Sequence, residues 1–295
     1  MHEHLVTSMR VKEQLFELVK LYPFLNVVEI GESRMGRPIH AVIIGNGPRA
    51  IMYNAAHHAN EWITTSILMR FIEECCDESN IPSFPEDVTL HVIPLVNPDG
   101  VDLVTGSIGR FRYAYKDAKK MCEAVCETEC HFPNCWKANI CGIDLNSNYP
   151  ADWERGREHK FARGYTQPCA RDYVGPNPLS EPETCAMVAY TMVNDFEMTM
   201  SLHTQGEEIY WRYKDYKPQD AEELAQRLAQ VSGYALQEVP SESSHGGYRD
   251  WFIQTFNRPG FTIECGLGEN PLPFSQFEDI YKKTAPLLWE GLTKL

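Results

Sequence analysis

The chain has no apolar run of the ~18–20 residues that a membrane-spanning helix needs. It also lacks an excess of basic residues: 27 Lys and Arg stand against 41 Asp and Glu, a net charge of −14. Phosphate neutralisation needs clustered Lys and Arg, so no nucleic-acid partner is expected, and no anionic membrane surface either. The amino terminus, Met1-His2-Glu3-His4-Leu5, has neither a basic n-region nor an apolar h-region. That pattern sets a cytoplasmic location as the expectation. There is no internal repeat, low-complexity run or linker, so the 295 residues are expected to form one domain, 1–295. No C-x-x-C pair occurs among ten cysteines, a number high for a reducing compartment. What is present is ordinary for a globular chain with a real core: 43% hydrophobic and 23% charged residues.

Periodicity predicts helices over 8–20, from Glu61 to about Asp77, and over 184–195, 219–232 and 274–292. Strands are predicted at Val27–Ile30, His40–Ile44, 50–55, 88–96, 196–202 and 261–265. Asn97-Pro98-Asp99-Gly100 reads as a turn, and about 101–180 as a long, Cys-rich, irregular stretch that builds a site over the scaffold. Strands alternating with helices give an α/β fold, a central mixed, twisted sheet flanked by helices.

Chemistry enters at His57-His58-Ala59-Asn60-Glu61, a strand-to-helix junction. His58 and Glu61 stand three apart and can face one cation. With 10 histidines in 295 residues, chance supplies roughly one H-x-x-E pair, so the spacing alone decides nothing. Two more polar groups end or interrupt apolar strands: His203 after Phe196–Leu202, and Glu264 in Phe261-Thr262-Ile263-Glu264-Cys265. Residues at the ends of sheet strands can converge. Two His and one Glu would complete a catalytic zinc site with a position left for water, and a further carboxylate could take that water's proton. A strand glutamate turned to solvent is the alternative for Glu264.

His58-Ala59-Asn60-Glu61-Trp62, Asn97-Pro98-Asp99-Gly100, Gly142-Ile143-Asp144-Leu145-Asn146, Ser201-Leu202-His203, Gly246-Gly247 with Asp250-Trp251, and Phe261–Glu264 together resemble the zinc carboxypeptidase family (metallocarboxypeptidase A-like), in its order and over roughly 8–295. The resemblance implies a zinc metallopeptidase with that family's fold and one Zn²⁺ per chain. It implies His58, Glu61 and His203 as ligands, Glu264 as general base and Asp144 as the group orienting the His58 ring. His57 is the neighbouring alternative to His58.

Departures from the family bear on substrate. Ser147 follows Asn146 where the family places an arginine that clamps the substrate's terminal carboxylate, and Lys137 stands where it keeps an oxyanion-stabilising arginine. The family's mobile-loop tyrosine aligns with Glu242, and Tyr248 is not its equivalent. Leu202–Trp211, Asp172-Tyr173-Val174-Gly175 with Pro178–Glu183, and Arg258–Glu264 resemble the branch that cleaves γ-D-glutamyl bonds to diamino acids in peptidoglycan peptides. Arg249 falls where the family lines the pocket for the residue after the cut, and a guanidinium there favours a carboxylate such as the distal one of meso-diaminopimelate. Glu207 or Glu208 could meet its amine. The expected partner is therefore a murein peptide bound through Lys137, Asn146, Ser147 and Arg249, with no dedicated cell-wall-binding module. A carboxypeptidase for acidic C-terminal residues and a non-catalytic, metal-containing binder of cell-wall peptides are the alternatives. Cys122, Cys126, Cys130, Cys135 and Cys141, with His131, are free thiols, disulfides or a structural metal site, and Cys75, Cys76, Cys169, Cys185 and Cys265 read as packing residues.

Overall fold

The computed structural model describes residues 6–77, 79, 84–125, 131–239 and 244–294. Its strands are β1 (Asn26–Glu32), β2 (Pro38–Gly45), β3 (Arg49–Ala55), β4 (Val88–Ile93), β5 (Met198–His203), β6 (Glu208–Tyr210), β7 (Ala235–Gln237) and β8 (Gly260–Glu264). They form one eight-stranded mixed sheet in the order β1-β2-β4-β3-β5-β8-β6-β7. The run β4-β3-β5-β8 is parallel, whereas β1 on β2, β2 on β4 and β6 on β8 are antiparallel.

Alternation sorts the central strands between two cores. Ile51, Tyr53, Ala55, Met198, Met200, Leu202, Phe261 and Ile263 face one core, covered by helices α1 (Ser8–Leu21), α2 (Ile63–Cys76), α7 (Ala221–Ser232) and α9 (Phe277–Glu290). Met52 faces the other, with α6 (Pro182–Val193) and α8 (Tyr248–Phe256). Strands buried on both faces read as near-continuous apolar runs, which is why they stood out in the sequence. Among the described residues no helix is long and apolar enough to cross a membrane.

The predicted strands and the long predicted helices are present, with ends shifted by a few residues. The strand expected over 88–96 stops at Ile93, because Pro94 has no N–H to give the ladder. The largest correction concerns 97–180. Asn97 does not form a turn but caps α3 (Pro98–Val104): its side chain accepts the Gly100 N–H at 3.0 Å, and Pro98 takes the first helical position. The supposedly irregular stretch also holds α4 (Tyr113–Val125) and α5 (Trp153–Ala162). In α4 only Ala118 and Cys122 are buried, and α5 is polar around most of its circumference, so neither shows a wide apolar stripe. A separate core of Leu103, Ile108, Ala118, Trp136, Ala138 and Ala170 packs beneath this region. Strands β6 and β7 have three residues each, too short for periodicity to show.

Leu202 is fully buried on β5, next to His203, so truncation there tests whether sheet packing sets the strand end. Leu202→Ala is expected to cost about 2–5 kcal/mol, read as a lower urea midpoint with an unchanged m-value. A loss below about 0.5 kcal/mol would mean that the strand is not held this way.

Candidate active site

Because β3, β5 and β8 are parallel neighbours, their carboxyl ends lie along one edge of the sheet. Ala55 pairs with Leu202 and His203 with Glu264, so the residues after β3 and the last residues of β5 and β8 meet there. The order changes direction at this point, since β3 connects through α2 to β4 on one side while β5 lies on the other; such switch points open crevices. Ala56, at φ 54°, turns the chain out of β3, and a single 3-10 turn, Ala59–Glu61, follows. Residues three apart eclipse on such a turn, so His58 and Glu61 face the same way. The turn is held from outside. Asn97 Nδ2 donates to the carbonyls of His57 at 3.0 Å and Ala138 at 3.1 Å, and the Ala59 N–H donates to the carbonyl of Lys137 at 2.9 Å.

His58 Nδ1 lies 2.9 Å from Glu61 Oε1, His203 Nδ1 lies 2.9 Å from Glu61 Oε2, and the two Nδ1 atoms are 3.2 Å apart. Among the described residues His58, Glu61 and His203 are the group of His, Cys, Asp and Glu placed to hold a metal ion. Each Nδ1 can donate to its own oxygen of Glu61, but the two N–H groups then oppose one another 3.2 Å apart, a conflict that a dication bound by all three groups removes. Donors about 2.0–2.1 Å from a tetrahedral ion lie roughly 3.3 Å from one another, close to the spacing here. The donor set fits zinc.

The surroundings fix this cluster. Glu61 is held well below the usual carboxylate range: burial opposes its charge, but His58, Lys137 and His203 outweigh burial. Burial alone would lower His58, yet Glu61 and Asp144 push it up to about 9, while burial lowers His203. Asp144 Oδ1 meets His58 Nε2 at 3.2 Å and accepts the Asn146 N–H at 3.1 Å, turning Nδ1 toward Glu61. Asp144 itself is kept low, the charges of His58, Lys160 and Lys137 prevailing over burial. His57 is outside the cluster: its ring is buried with Nε2 2.9 Å from the Tyr149 hydroxyl, so His58 is the one brought to Glu61. Glu264 lines the cleft at the end of β8 rather than open solvent, and burial, helped by the charge of Glu61, pushes it up to about 8.

The comparisons with known proteins agree with this geometry. The family model described as zinc carboxypeptidase matches residues 11–286. The chain belongs to the zinc carboxypeptidase family. It is 39% identical over 285 residues to γ-D-glutamyl-L-diamino acid endopeptidase 1 of Lysinibacillus sphaericus, covering 94% of this chain and 69% of that one. It is 37% identical over 303 residues to the protein YqgT of Bacillus subtilis, covering 98% and 78% respectively. The crystal structure of thrombin-activatable fibrinolysis inhibitor superposes with a TM-score of 0.73 at 17% identity, covering 97% of this chain and 73% of that one, and so shares the fold. As a member of this family the chain is a zinc metallopeptidase.

Two cavities flank the cluster of this zinc carboxypeptidase relative. One, of about 330 Å³, is lined by Asn146, Ser147, Lys160, Asp172, Arg249 and Thr262 among others. The second, of about 870 Å³, is lined by Thr204, Gln205, Tyr165, Glu269 and Asn270 among others. His58, Lys137, Arg171, Tyr210 and Glu264 border both, so the two cavities adjoin at the cluster. Lys137 faces the cluster, its Nζ 3.1 Å from Glu61 Oε1. Asn146 accepts the Tyr248 N–H at 3.0 Å, and Ser147 is buried at the cavity wall. Gly246, at φ 77°, crosses so close to Ser147 that a Cβ would sit 2.8 Å from its carbonyl oxygen. Arg249 borders the smaller cavity but pairs with its neighbour Asp250 through Nε at 3.0 Å and through Nη2. Neither Glu207, bridged to Lys283 at 2.6 Å, nor Glu208, which accepts from Tyr210 at 2.6 Å, borders these cavities. Tyr248 is buried and bonded to Thr191 at 2.8 Å, and Glu242 lies outside the described residues.

Sequence reasoning missed Lys160, Arg171, Asp172 as a charged group, and Tyr210. Arg171 adjoins the quoted Asp172–Gly175 motif, which was its one available signal; Lys160 sits in a charged helix and had none. Of the cysteines, Cys126 and Cys130 lie outside the described residues. Cys135 is disulfide-bonded, with the Cys122 sulfur 3.8 Å away, and Cys141 is a free, half-buried thiol. Cys185 is exposed, contrary to its reading as a packing residue.

Asp144→Asn keeps the shape but removes the charge that turns His58. Zinc affinity measured by chelator competition is expected to fall about 10–100-fold. Wild-type affinity in that variant would remove Asp144 from this role.

Proposed function

We propose that this peptidase hydrolyses the bond between a γ-D-glutamyl residue and meso-diaminopimelate in peptidoglycan peptides. The observation that carries this reading is the pair of cavities adjoining on either side of the cluster, with Ser147 at the position after Asn146 where the family places its carboxylate-clamping arginine. A cleft of that shape accommodates chain on both sides of a scissile bond and makes no demand for a free terminal carboxylate at Ser147. Lys137, Lys160, Arg171 and Arg249 stand among Asp144, Asp172, Asp250 and Glu264 in the smaller cavity, which suits a substrate carrying both carboxylates and an amine. The name of the Lysinibacillus relative supplies the corresponding bond.

His58, Glu61 and His203 would hold one zinc ion per chain. Zinc supplies Lewis acidity there, lowering the pKa of water and polarising a carbonyl. Glu264 takes the proton of the attacking water on a carboxylate oxygen and returns it to the leaving amine. Its partly desolvated position, which raises its proton affinity, suits that exchange. Lys137 presents an ammonium beside Glu61 where charge develops on the carbonyl oxygen, as a point charge without the fork of an arginine. Asp144 orients His58. A binder without turnover would need no carboxylate at position 264. The same cavity, with Arg171 and Arg249 in its lining, also suits removal of an acidic C-terminal residue, which makes the bond cut the discriminating measurement.

Three results test the proposal. L-Ala-γ-D-Glu-meso-diaminopimelate should be cleaved to release diaminopimelate far faster than peptides ending in α-linked Glu lose that residue; the reverse preference would replace the substrate assignment. Chelation should abolish hydrolysis and added zinc restore it. Glu264→Gln should reduce kcat by at least about 10²-fold with zinc content unchanged, and normal turnover would dismiss Glu264 as the base.

A further inference from the structure

We propose that Arg171 is the residue that recognises the free α-carboxylate of the γ-linked glutamyl residue, on the acyl side of the scissile bond. The assignment rests on the γ-glutamyl reading above and goes beyond it by naming the group that reads the linkage's carboxylate.

Position is the first argument. In a γ-glutamyl substrate the α-carboxylate carbon lies four bonds from the scissile carbonyl carbon, within roughly 5 Å. A cation at the far end of either cavity is too distant; one at the seam between them is not. The two cavities share two long cationic side chains, Lys137 and Arg171. Lys137 is already engaged by Glu61 at 3.1 Å.

Charge is the second. Asp172 is a single carboxylate with two cations on it: Lys160 on Oδ1, and Arg171 Nε on Oδ2 at 2.7 Å. Lys160 is buried and faces both Asp172 and Asp144, whereas Arg171 meets Asp172 through Nε and its side chain is 48% exposed. Arg249 is buried and gives both Nε and Nη2 to Asp250. Among the described residues the Nη1 and Nη2 groups of Arg171 have no hydrogen-bond partner, so its terminal fork is open to a bidentate carboxylate.

Rigidity is the third. Asp172 stands at φ 65°, unusual for a residue with a Cβ, and its N–H donates to Asp144 Oδ2 at 3.1 Å. The carboxylate that turns His58 thus also fixes the shelf that carries Arg171, so the substrate's α-carboxylate and its scissile carbonyl are positioned from one anchor.

The experiment compares L-Ala-γ-D-Glu-meso-diaminopimelate with its analogue carrying a neutral α-carboxamide on the glutamyl residue. Wild-type protein should favour the acid by roughly 10–100-fold in kcat/KM. Arg171→Met should collapse that ratio toward one, the acid falling far more than the amide, with zinc content retained. Arg171→Lys, which keeps charge but not the fork, should keep part of the preference. An unchanged acid-to-amide ratio in Arg171→Met, or an equal loss on both substrates, overturns the assignment. So does a ratio that collapses in Arg249→Met instead. Wild-type protein that cleaves neither γ-linked compound but does remove α-linked C-terminal Glu overturns the function proposed above, a result distinct from any of these ratios.

Discussion

The Glu61 carboxylate is the point from which the rest of the site is organised. It is almost wholly buried, and its two oxygens meet His58 Nδ1, Lys137 Nζ, His203 Nδ1 and the Thr204 N–H, all within 2.9–3.2 Å. A buried carboxylate is costly unless it is paired and hydrogen-bonded. Here its partners come from three separate stretches of chain, so the energy that keeps Glu61 ionised also holds the end of β3, the end of β5 and the Trp136–Ala138 segment against one another. Much of the loop structure above the sheet can be read as support for this convergence. Asn97 ties the His57 carbonyl to that of Ala138, and Asp144 ties His58 to Asp172.

The parallel order β4-β3-β5-β8 explains why such a cluster forms without strained strands. Antiparallel neighbours would send alternate carboxyl ends to opposite edges of the sheet. With β3, β5 and β8 parallel, His58, His203 and Glu264 arrive at one edge simply by ending their strands or following them. The side chains of Tyr53, Met200, Leu202, Phe261 and Ile263 face the core on one side, and alternation leaves His203 and Glu264 on the other, where the cavities open. The strand lengths are thus part of the chemistry: Gly206 and Gly266, both at positive φ, lie just beyond the ends of β5 and β8.

What the sequence disclosed follows from this arrangement. Strands buried on both faces had to be apolar, so they were visible as runs, and the polar residues closing them were conspicuous for the same reason. His58, Glu61, His203, Asp144 and Glu264 could be named because each sits at the boundary of an apolar element or in a motif shared with the family. The turn reading of Asn97–Gly100 failed because Asn-Pro is equally good chemistry for starting a helix, and only the packing of α3 against the His58 turn decides between them. The helices α4 and α5 escaped notice because little of their surface is buried, so there was no wide apolar stripe to read. Lys160, Arg171 and Tyr210 were missed for a related reason: a polar helix, a loop and a three-residue strand carry no periodic signal, and the meaning of these residues comes only from which carboxylate they meet.

That last point bears on how a chain with a net charge of −14 would suit the acidic peptide proposed as its substrate. Long-range attraction cannot be the device, because the summed field of the molecule repels an anion and salt screens what remains beyond roughly 8–10 Å. Recognition has to be local. The cleft achieves locality by keeping its cations close to carboxylates: Lys137 beside Glu61, Arg249 on Asp250, and both Lys160 and Arg171 on Asp172. Pairing holds the long side chains in defined positions at little further entropic cost on binding. A set of unpaired lysines and arginines would attract anions of every shape. A fixed set in which one guanidinium keeps its terminal fork exposed would select for a carboxylate at one place relative to the scissile bond, which is the kind of discrimination the proposed linkage-specific hydrolysis requires.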